Sequence, residues 1–233
     1  ETEIKRDLGL NTMFSKIIGT GGYLPKKIVT NKDLESTVDT TDEWIIERTG
    51  IKQRHIAEEN ETTSSMAVQA SIDALSSANI QPKDIDLIIV ATTTPDQIFP
   101  STACIVQNKL KIKAPAFDIQ AACTGFVYAV SIADNYIKAG LNKNILVIGA
   151  EKYSNLLDWN DRSTCVLFGD GAGAVILSAQ SEPGIISTHI HADGKYNDLL
   201  SVENNHIKMK GNEVFKVAVN TLSKLVDLSL IHI

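Results

Sequence analysis

The sequence predicts an α/β protein whose sheet is mostly parallel and covered on both faces. Three observations carry this. Short apolar runs rich in β-branched residues, bounded by turn residues, recur along the chain, the pattern of strands buried on both sides. Segments with helical spacing separate them, so strand and helix alternate as in βαβ units. The composition suits a packed core: 233 residues and 25.3 kDa, with 43% hydrophobic and 21% charged residues, do not describe a disordered chain.

The elements follow in order. Residues 1–12 read as a polar leader or upstream read-through. Lys16-Ile-Ile-Gly-Thr-Gly-Gly-Tyr is a first strand running into glycines. Thr41 to Arg48 is a short helix, capped by Thr40 or Thr41, with Asp42 and Glu43 in its first turn and Gly50 ending it. Ser64 to Asn79 is a longer helix with Val68, Ile72 and Leu75 on one face, broken by Gln81-Pro82. Asp86-Leu-Ile-Ile-Val-Ala-Thr-Thr is a buried strand, Ser101 to Lys111 a helix, and Ala116-Phe-Asp-Ile a strand. Thr124 to Ala139 is a helix stopped by Gly140, and Asn144-Ile-Leu-Val-Ile-Gly another buried strand. Thr164-Cys-Val-Leu-Phe and Ala172-Gly-Ala-Val-Ile-Leu read as a hairpin around Gly-Asp-Gly. Beyond Glu182-Pro-Gly, Ile185 to His191 alternates as a strand. Asn212 caps a helix striped by Phe215, Val219, Leu222 and Val226.

Composition excludes several functions. The longest apolar runs fall short of a membrane span, and the opening Glu-Thr-Glu-Ile-Lys-Arg-Asp has no apolar signal core. A net charge of −6 and a pI near 5.4 argue against general nucleic-acid binding. Three cysteines without a close pair make neither a disulfide framework nor a zinc site, and the cytoplasm is the expected compartment. Gly19-Thr-Gly-Gly-Tyr-Leu lacks the third glycine of a dinucleotide fingerprint. Gly169-Asp-Gly-Ala-Gly lies between strands, so no helix N-terminus receives a phosphate there; both read as tight turns. His55, His189, His191, His206 and His232 form no metal-ligand set, and no metal or cofactor is expected.

Two constellations carry chemistry. Cys123 lies in Phe117-Asp-Ile-Gln-Ala-Ala-Cys-Thr-Gly-Phe, where a buried strand hands over to a helix. A thiol there meets unpaired N–H groups and the positive end of the helix dipole, which favour thiolate. Ala121, Ala122 and Gly125 leave room for a substrate. The competing reading is a small buried hydrophobe, which suits Cys104 and Cys165 better. Trp44 and Arg48 share a helix face, so ring and guanidinium can meet a purine and its phosphate, or simply each other.

These residues sit in runs that resemble the β-ketoacyl-acyl-carrier-protein synthase III family. The runs are Lys16-Ile-Ile-Gly-Thr-Gly-Gly-Tyr-Leu-Pro, Asp39-Thr-Thr-Asp-Glu-Trp-Ile, Arg48-Thr-Gly-Ile, Phe99-Pro-Ser and the ten residues around Cys123. Asp161-Arg, Phe168-Gly-Asp-Gly-Ala-Gly-Ala, His189-Ile-His-Ala-Asp-Gly and Gly211-Asn-Glu-Val-Phe-Lys continue the likeness, which covers residues 13–227.

The resemblance implies a thiolase-like layered fold of two similar halves and a homodimer. Residues 13–180 correspond to a complete N-terminal half and 181–233 to the beginning of the second. The family's His and Asn, which stabilise the enolate oxygen, belong beyond the matched run, so a C-terminally truncated chain is expected. It implies decarboxylative condensation of a short acyl-CoA, acetyl-CoA first, with malonyl-acyl carrier protein, the step initiating type II fatty acid synthesis. Cys123 is the implied nucleophile, holding the acyl group as a thioester. Trp44 and Arg162 are implied to sandwich the adenine of CoA, with Arg48 and Thr40 nearby. Phe99 is implied to line the acyl pocket of its own chain or its partner's. By the same resemblance Asn212 and Phe215 are implied to line the pantetheine channel, and Lys216 to meet the carrier protein. The rival readings are a non-catalytic acyl-CoA or carrier-protein binding module and a related thiolase-fold acyltransferase.

Overall fold

A computed structural model describes residues 13–230. The leader expected at residues 1–12 lies outside them, as do residues 231–233. The described chain gathers into two compact units, each assembled from three stretches. Residues 13–28, 55–152 and 170–190 form the first unit; 29–54, 153–169 and 191–230 form the second.

In the first unit, β1 (Phe14–Tyr23), β4 (Leu87–Ala91), β5 (Ala116–Ile119), β6 (Asn144–Lys152) and β7 (Asp170–Gln180) form one sheet in the order β1-β7-β6-β4-β5. The mostly parallel sheet expected from the strand–helix alternation is mixed. β4 runs parallel to β5 and β6, while β7 is antiparallel to β6 and β1. Both faces are covered, as expected. Ile88 and Val90 of β4 point into a cluster with Leu146, Ile148 and Ile176, roofed by α3 (Thr63–Ala78) and α4 (Thr102–Leu110). Leu87, Ile89 and Ala91 point the other way, with Ile145, Val147 and Leu177, onto Ala129, Ala133 and Ile137 of α5 (Gly125–Lys138). All five β4 residues are buried. Each fully buried Ile or Leu contributes roughly 1.5–3 kcal/mol, so this sheet holds most of the unit's apolar driving force.

The helix ends obey their local chemistry. Thr62 and Ser65 form a capping box at the start of α3, and Asn79 closes it in the left-handed region (φ 54°). The α3 stripe is wider than expected: Val68 and Leu75 are buried, but Ile72 is 47% exposed. Ala67, Ala70 and Ala74 take the inner face and let the helix sit close to β1.

The second unit holds α1 (Asn31–Glu35), α2 (Asp42–Thr49), α6 (Arg162–Cys165), the hairpin β8 (Leu200–Glu203) with β9 (His206–Met209), and α7 (Gly211–Leu230). Leu34, Val38, Ile45, Cys165 and Val166 form its core. β2 (Lys27–Thr30) and β3 (Gln53–Ile56) pair as a separate ribbon.

Four sequence expectations are corrected. Residues 164–168 are not the first strand of a hairpin. Asp161 accepts from the Ser163 N–H and starts the short helix α6, whose Cys165 and following Val166 enter the core. Gly171 and Gly173 lie inside one long strand, β7. Residues 185–191 form no strand: Ile185 N–H donates to Ser15 O, but the stretch joins no ladder among the described residues. Asn212 is a first-turn residue of α7 and not its cap, because the helix already begins at Gly211. The β8–β9 hairpin was not foreseen. It turns on Asn204 and Asn205, both left-handed (φ 50° and 64°), the pairing a type I′ turn requires.

Candidate active site and its comparison with known proteins

In the first unit the chain leaves β5 at Ile119 and turns sharply before α5. Ala122 adopts φ 45°, a left-handed conformation that costs a residue with a Cβ about 1 kcal/mol or more. The strained residue opens a 3-10 turn, Ala122–Thr124, that carries Cys123. Thr124 ties the turn down by donating both its amide (3.2 Å) and its hydroxyl (2.9 Å) to Ala121 O. Gly125 is buried at the helix start; a Cβ there would stand 3.2 Å from Ala91 Cβ, tighter than an ordinary contact, so glycine lets the turn press against the end of β4 without displacing it. The result is an exposed thiol on a fixed backbone at the carboxyl ends of parallel strands, where open α/β sheets place ligands.

The other two thiols are packing residues. Cys165 is fully buried, and burial pushes its thiol up from the ordinary value. Cys104 is half-buried, its Sγ directed at Ala116 O.

The loop from β4 to α4 belongs to the same unit. Glu151, at the end of β6, accepts from the Thr93 N–H (2.9 Å) and from the hydroxyls of Thr93 (3.0 Å) and Thr94 (2.6 Å). Burial raises this carboxyl's pKa, against the lowering effect of those bonds. Asp96 accepts from the amide and hydroxyl of Ser64. Beyond these anchors, Ile98 is 92% and Phe99 83% exposed, and the Phe99–Pro100 peptide is cis. An open cavity of about 560 Å³ is lined by Thr92, Thr93, Ile98, Phe117, Ile119 and Gln120.

In the second unit, Thr41 caps α2 by accepting from the Trp44 N–H (3.1 Å), and Gly50 closes the helix at φ 73°, both as expected. Arg48 lies one turn on, its guanidinium 4.9 Å from the Trp44 ring centroid. Arg162, at the start of α6, stands 4.8 Å from the same centroid and donates to Asp39 O at 2.6 Å. Three of the expected CoA residues therefore meet around one indole. Thr40 Oγ1, beside them in sequence, is buried without a hydrogen-bond partner among the described residues. Asn212, Phe215 and Lys216 lie in the first turns of α7, all exposed, and the stripe of Phe215, Val219, Leu222 and Val226 faces solvent in the described chain. The described residues hold no group of three His, Cys, Asp or Glu fit for a metal, and no helix long and apolar enough to cross a membrane.

Comparison with known proteins decides the family. The profile of 3-oxoacyl-[acyl-carrier-protein (ACP)] synthase III matches residues 117–194, the stretch that opens with the Cys123 motif. The chain is 57% identical over 228 residues to the β-ketoacyl-[acyl-carrier-protein] synthase III of Thiobacillus denitrificans, covering 93% of this chain and 72% of that protein. The chain belongs to the β-ketoacyl-[acyl-carrier-protein] synthase III family. A Vibrio parahaemolyticus synthase III is 59% identical over 94% of this chain and 72% of its own length. The crystal structure of the Aquifex aeolicus synthase III superposes with a TM-score of 0.85 at 58% identity, covering 87% of this chain and 67% of that one. The synthase III from Pseudomonas aeruginosa gives 0.88 at 39% identity, over 94% of this chain and 71% of its own. The fold is the thiolase-like one of these condensing enzymes, and the chain is a 3-oxoacyl-ACP synthase III, an acyltransferase of fatty acid biosynthesis.

Three features of the candidate site are not predicted from the sequence. The left-handed backbone of Ala122 has no cue, since alanine is not a residue chosen for it. Nothing in the run around Asp39 marks its carbonyl as the partner of Arg162. Glu151 had a readable cue in the run Thr92-Thr-Thr at a strand end, which needs an acceptor for its hydroxyls.

Proposed function

We propose that Cys123 performs the acyl transfer. Its sulfur adds to the thioester carbonyl of a short acyl-CoA, acetyl-CoA first; the C–S bond to CoA breaks and CoA leaves as the thiol. The acyl-cysteine then meets malonyl-acyl carrier protein. Loss of carbon dioxide leaves a carbanion, which attacks the acyl carbonyl, releases the cysteine and yields 3-oxoacyl-acyl carrier protein. Splitting the reaction at a covalent intermediate divides one high barrier into two lower ones. What supports this role is the exposed thiol on a strained, tied-down turn at the carboxyl ends of β4 and β5.

Trp44, Arg48 and Arg162 take the adenine and phosphates of CoA, and Thr40 Oγ1 offers a buried group in need of a partner. Asn212 and Phe215 take the pantetheine arm, and Lys216 meets the acidic carrier protein. A homodimer in the cytoplasm completes the reading. The dimer is supported by β5, an edge strand whose four residues are all part-exposed, and by the exposed apolar pair Ile98 and Phe99.

Intact mass after incubation with acetyl-CoA tests the first half-reaction. An acetyl adduct on the parent that disappears in Cys123→Ala supports the assignment. An adduct that survives the substitution removes Cys123 from the mechanism. CoA binding that is lost in Trp44→Ala, with no adduct on the parent, favours a non-catalytic binding module.

A further inference from the structure

We propose that Glu151 is a positioning residue that sets acyl-chain preference, acting through the 92–100 loop and Phe99. The inference rests on the reading of Phe99 as a wall of the acyl pocket.

The register of the sheet places the group. β4 and β6 run parallel with Ala91 opposite Gly149, so Thr93 and Glu151, each two residues further, emerge side by side beyond the ladder. The carboxylate there is the common acceptor for the first residues of the loop. Thr93 donates through amide and hydroxyl, and Thr94 through its hydroxyl. The Thr94 hydroxyl oxygen in turn accepts from the Lys152 N–H (2.8 Å), and the Thr92 hydroxyl oxygen accepts from the Thr94 N–H (3.1 Å). Glu151 and its neighbour on β6 thus fix the direction in which the chain leaves β4.

The remainder of the loop is held less. Thr94 O accepts from the Thr63 hydroxyl and Asp96 from Ser64, after which the chain projects Ile98 and Phe99 into solvent. The loop is a span with one root at Glu151 and Asp96, the other at the start of α4, where Asp118 accepts from the Thr102 and Ala103 N–H groups (2.7 Å each), and an apolar crest at Ile98 and Phe99. A change of direction at the first root is carried along the span to the crest. A displacement of about 1 Å at a substrate-contacting group is enough to change reaction rates severalfold or more. An ordinary structural clamp would change the amount of folded protein. A clamp on a pocket wall changes which acyl chain is accepted.

The experiment is a competition. The protein is incubated with an equimolar mixture of acetyl-CoA and isobutyryl-CoA, and intact mass gives the ratio of the two adducts on Cys123. A ratio is independent of how much protein is folded, so a variant that folds poorly still reports. Phe99→Ala, Glu151→Ala, Glu151→Gln and the Phe99→Ala/Glu151→Ala pair are compared. Glu151→Ala is expected to shift the ratio about three- to tenfold. Glu151→Gln, which keeps an oxygen acceptor for the Thr93 amide, is expected to return most of it. The double variant is expected to match Phe99→Ala alone, because a residue that acts only through Phe99 has no effect once the ring is gone.

If Phe99→Ala shifts the ratio and Glu151→Ala does not, the positioning role is wrong while the Phe99 reading stands. If the two shifts multiply in the double variant, Glu151 acts by another route and the proposal is overturned. If Phe99→Ala leaves the ratio unmoved, or the parent takes no acyl group, the underlying reading fails and the proposal falls with it.

Discussion

Gly21 and Gly22 are neighbours on β1, and alternation sends their missing side chains to opposite faces of the sheet. A Cβ at Gly21 would stand 2.2 Å from Ala70 O and 2.3 Å from Ala74 N, both backbone atoms of α3. A Cβ at Gly22 would meet only Ala172 O, at an ordinary 3.8 Å. Relieving the first contact requires α3 and β1 to separate by about 1 Å, since non-bonded heavy atoms settle near 3.5 Å. No flexible side chain can give way instead, so the cost lies at or above the upper end of the usual overpacking range, about 3 kcal/mol. For a chain of this size that lowers the melting temperature by roughly 6–12 °C. Gly22→Ala keeps its space and reduces the freedom of the unfolded chain, which is worth about 0.4–1 kcal/mol in favour of the fold. Calorimetric melts of the two variants are therefore expected to differ by roughly 10 °C, with Gly22→Ala at or above the parent. Melts within about 2 °C of each other would refute the claimed approach of helix to strand, since that gap is worth less than 1 kcal/mol.

Three further outcomes are expected. Burial raises the Glu151 pKa above its ordinary 4.5, so the folded chain binds that proton more tightly than the unfolded chain. Its stabilising contribution is therefore full below the unfolded value and is lost as pH rises through the folded one. Urea midpoints of Glu151→Gln are expected to gain on the parent between pH 4 and pH 7, and a constant difference would contradict this. Arg54, buried, donates to Val29 O, Asn31 Oδ1 and Val166 O. Arg54→Ala is expected to cost about 3 kcal/mol or more by urea denaturation, because three acceptors lose their donor in the unit's interior. Native thiol labelling with a disulfide reagent, mapped by peptide mass, is expected to modify Cys123 first and Cys165 only on unfolding; early labelling of Cys165 would contradict the packing around α6.

Strands whose identity is written locally were legible. β4 and the Ile145–Ile148 part of β6 are continuous apolar runs rich in β-branched residues, and β5 is a short run of mixed character between turn residues. Direction was not legible. An antiparallel β7 depends on residues 153–169 returning without a crossover helix over the sheet. Thr164 to Phe168 has a strand's composition, yet a side-chain cap from Asp161 and burial of Cys165 and Val166 make its first two residues helical and the next two a turn, so tertiary packing overrides propensity. Residues 185–191 have the right alternation and lack a partner strand among the described residues, which no local pattern records. At the site, Cys123 was legible because its setting between strand and helix is a sequence feature. Glu151 was legible only in part: the run Thr92-Thr-Thr calls for an acceptor, and parallel pairing decides that Glu151, brought beside Thr93, supplies it.

The pairing of β1 has a consequence for biosynthesis. Among the described residues, Phe14 to Tyr23 finds its strand partner in Ala172 to Gln180, about 150 residues later along the chain. At about 5–20 residues per second, a ribosome leaves β1 without that partner for roughly 8–30 s. Helix α3 is made far sooner, and its alanine face fits the glycine side of the strand. The nascent chain can therefore shelter one face of β1 early, while its backbone edge stays open to chaperones, or to another nascent chain, until β7 emerges.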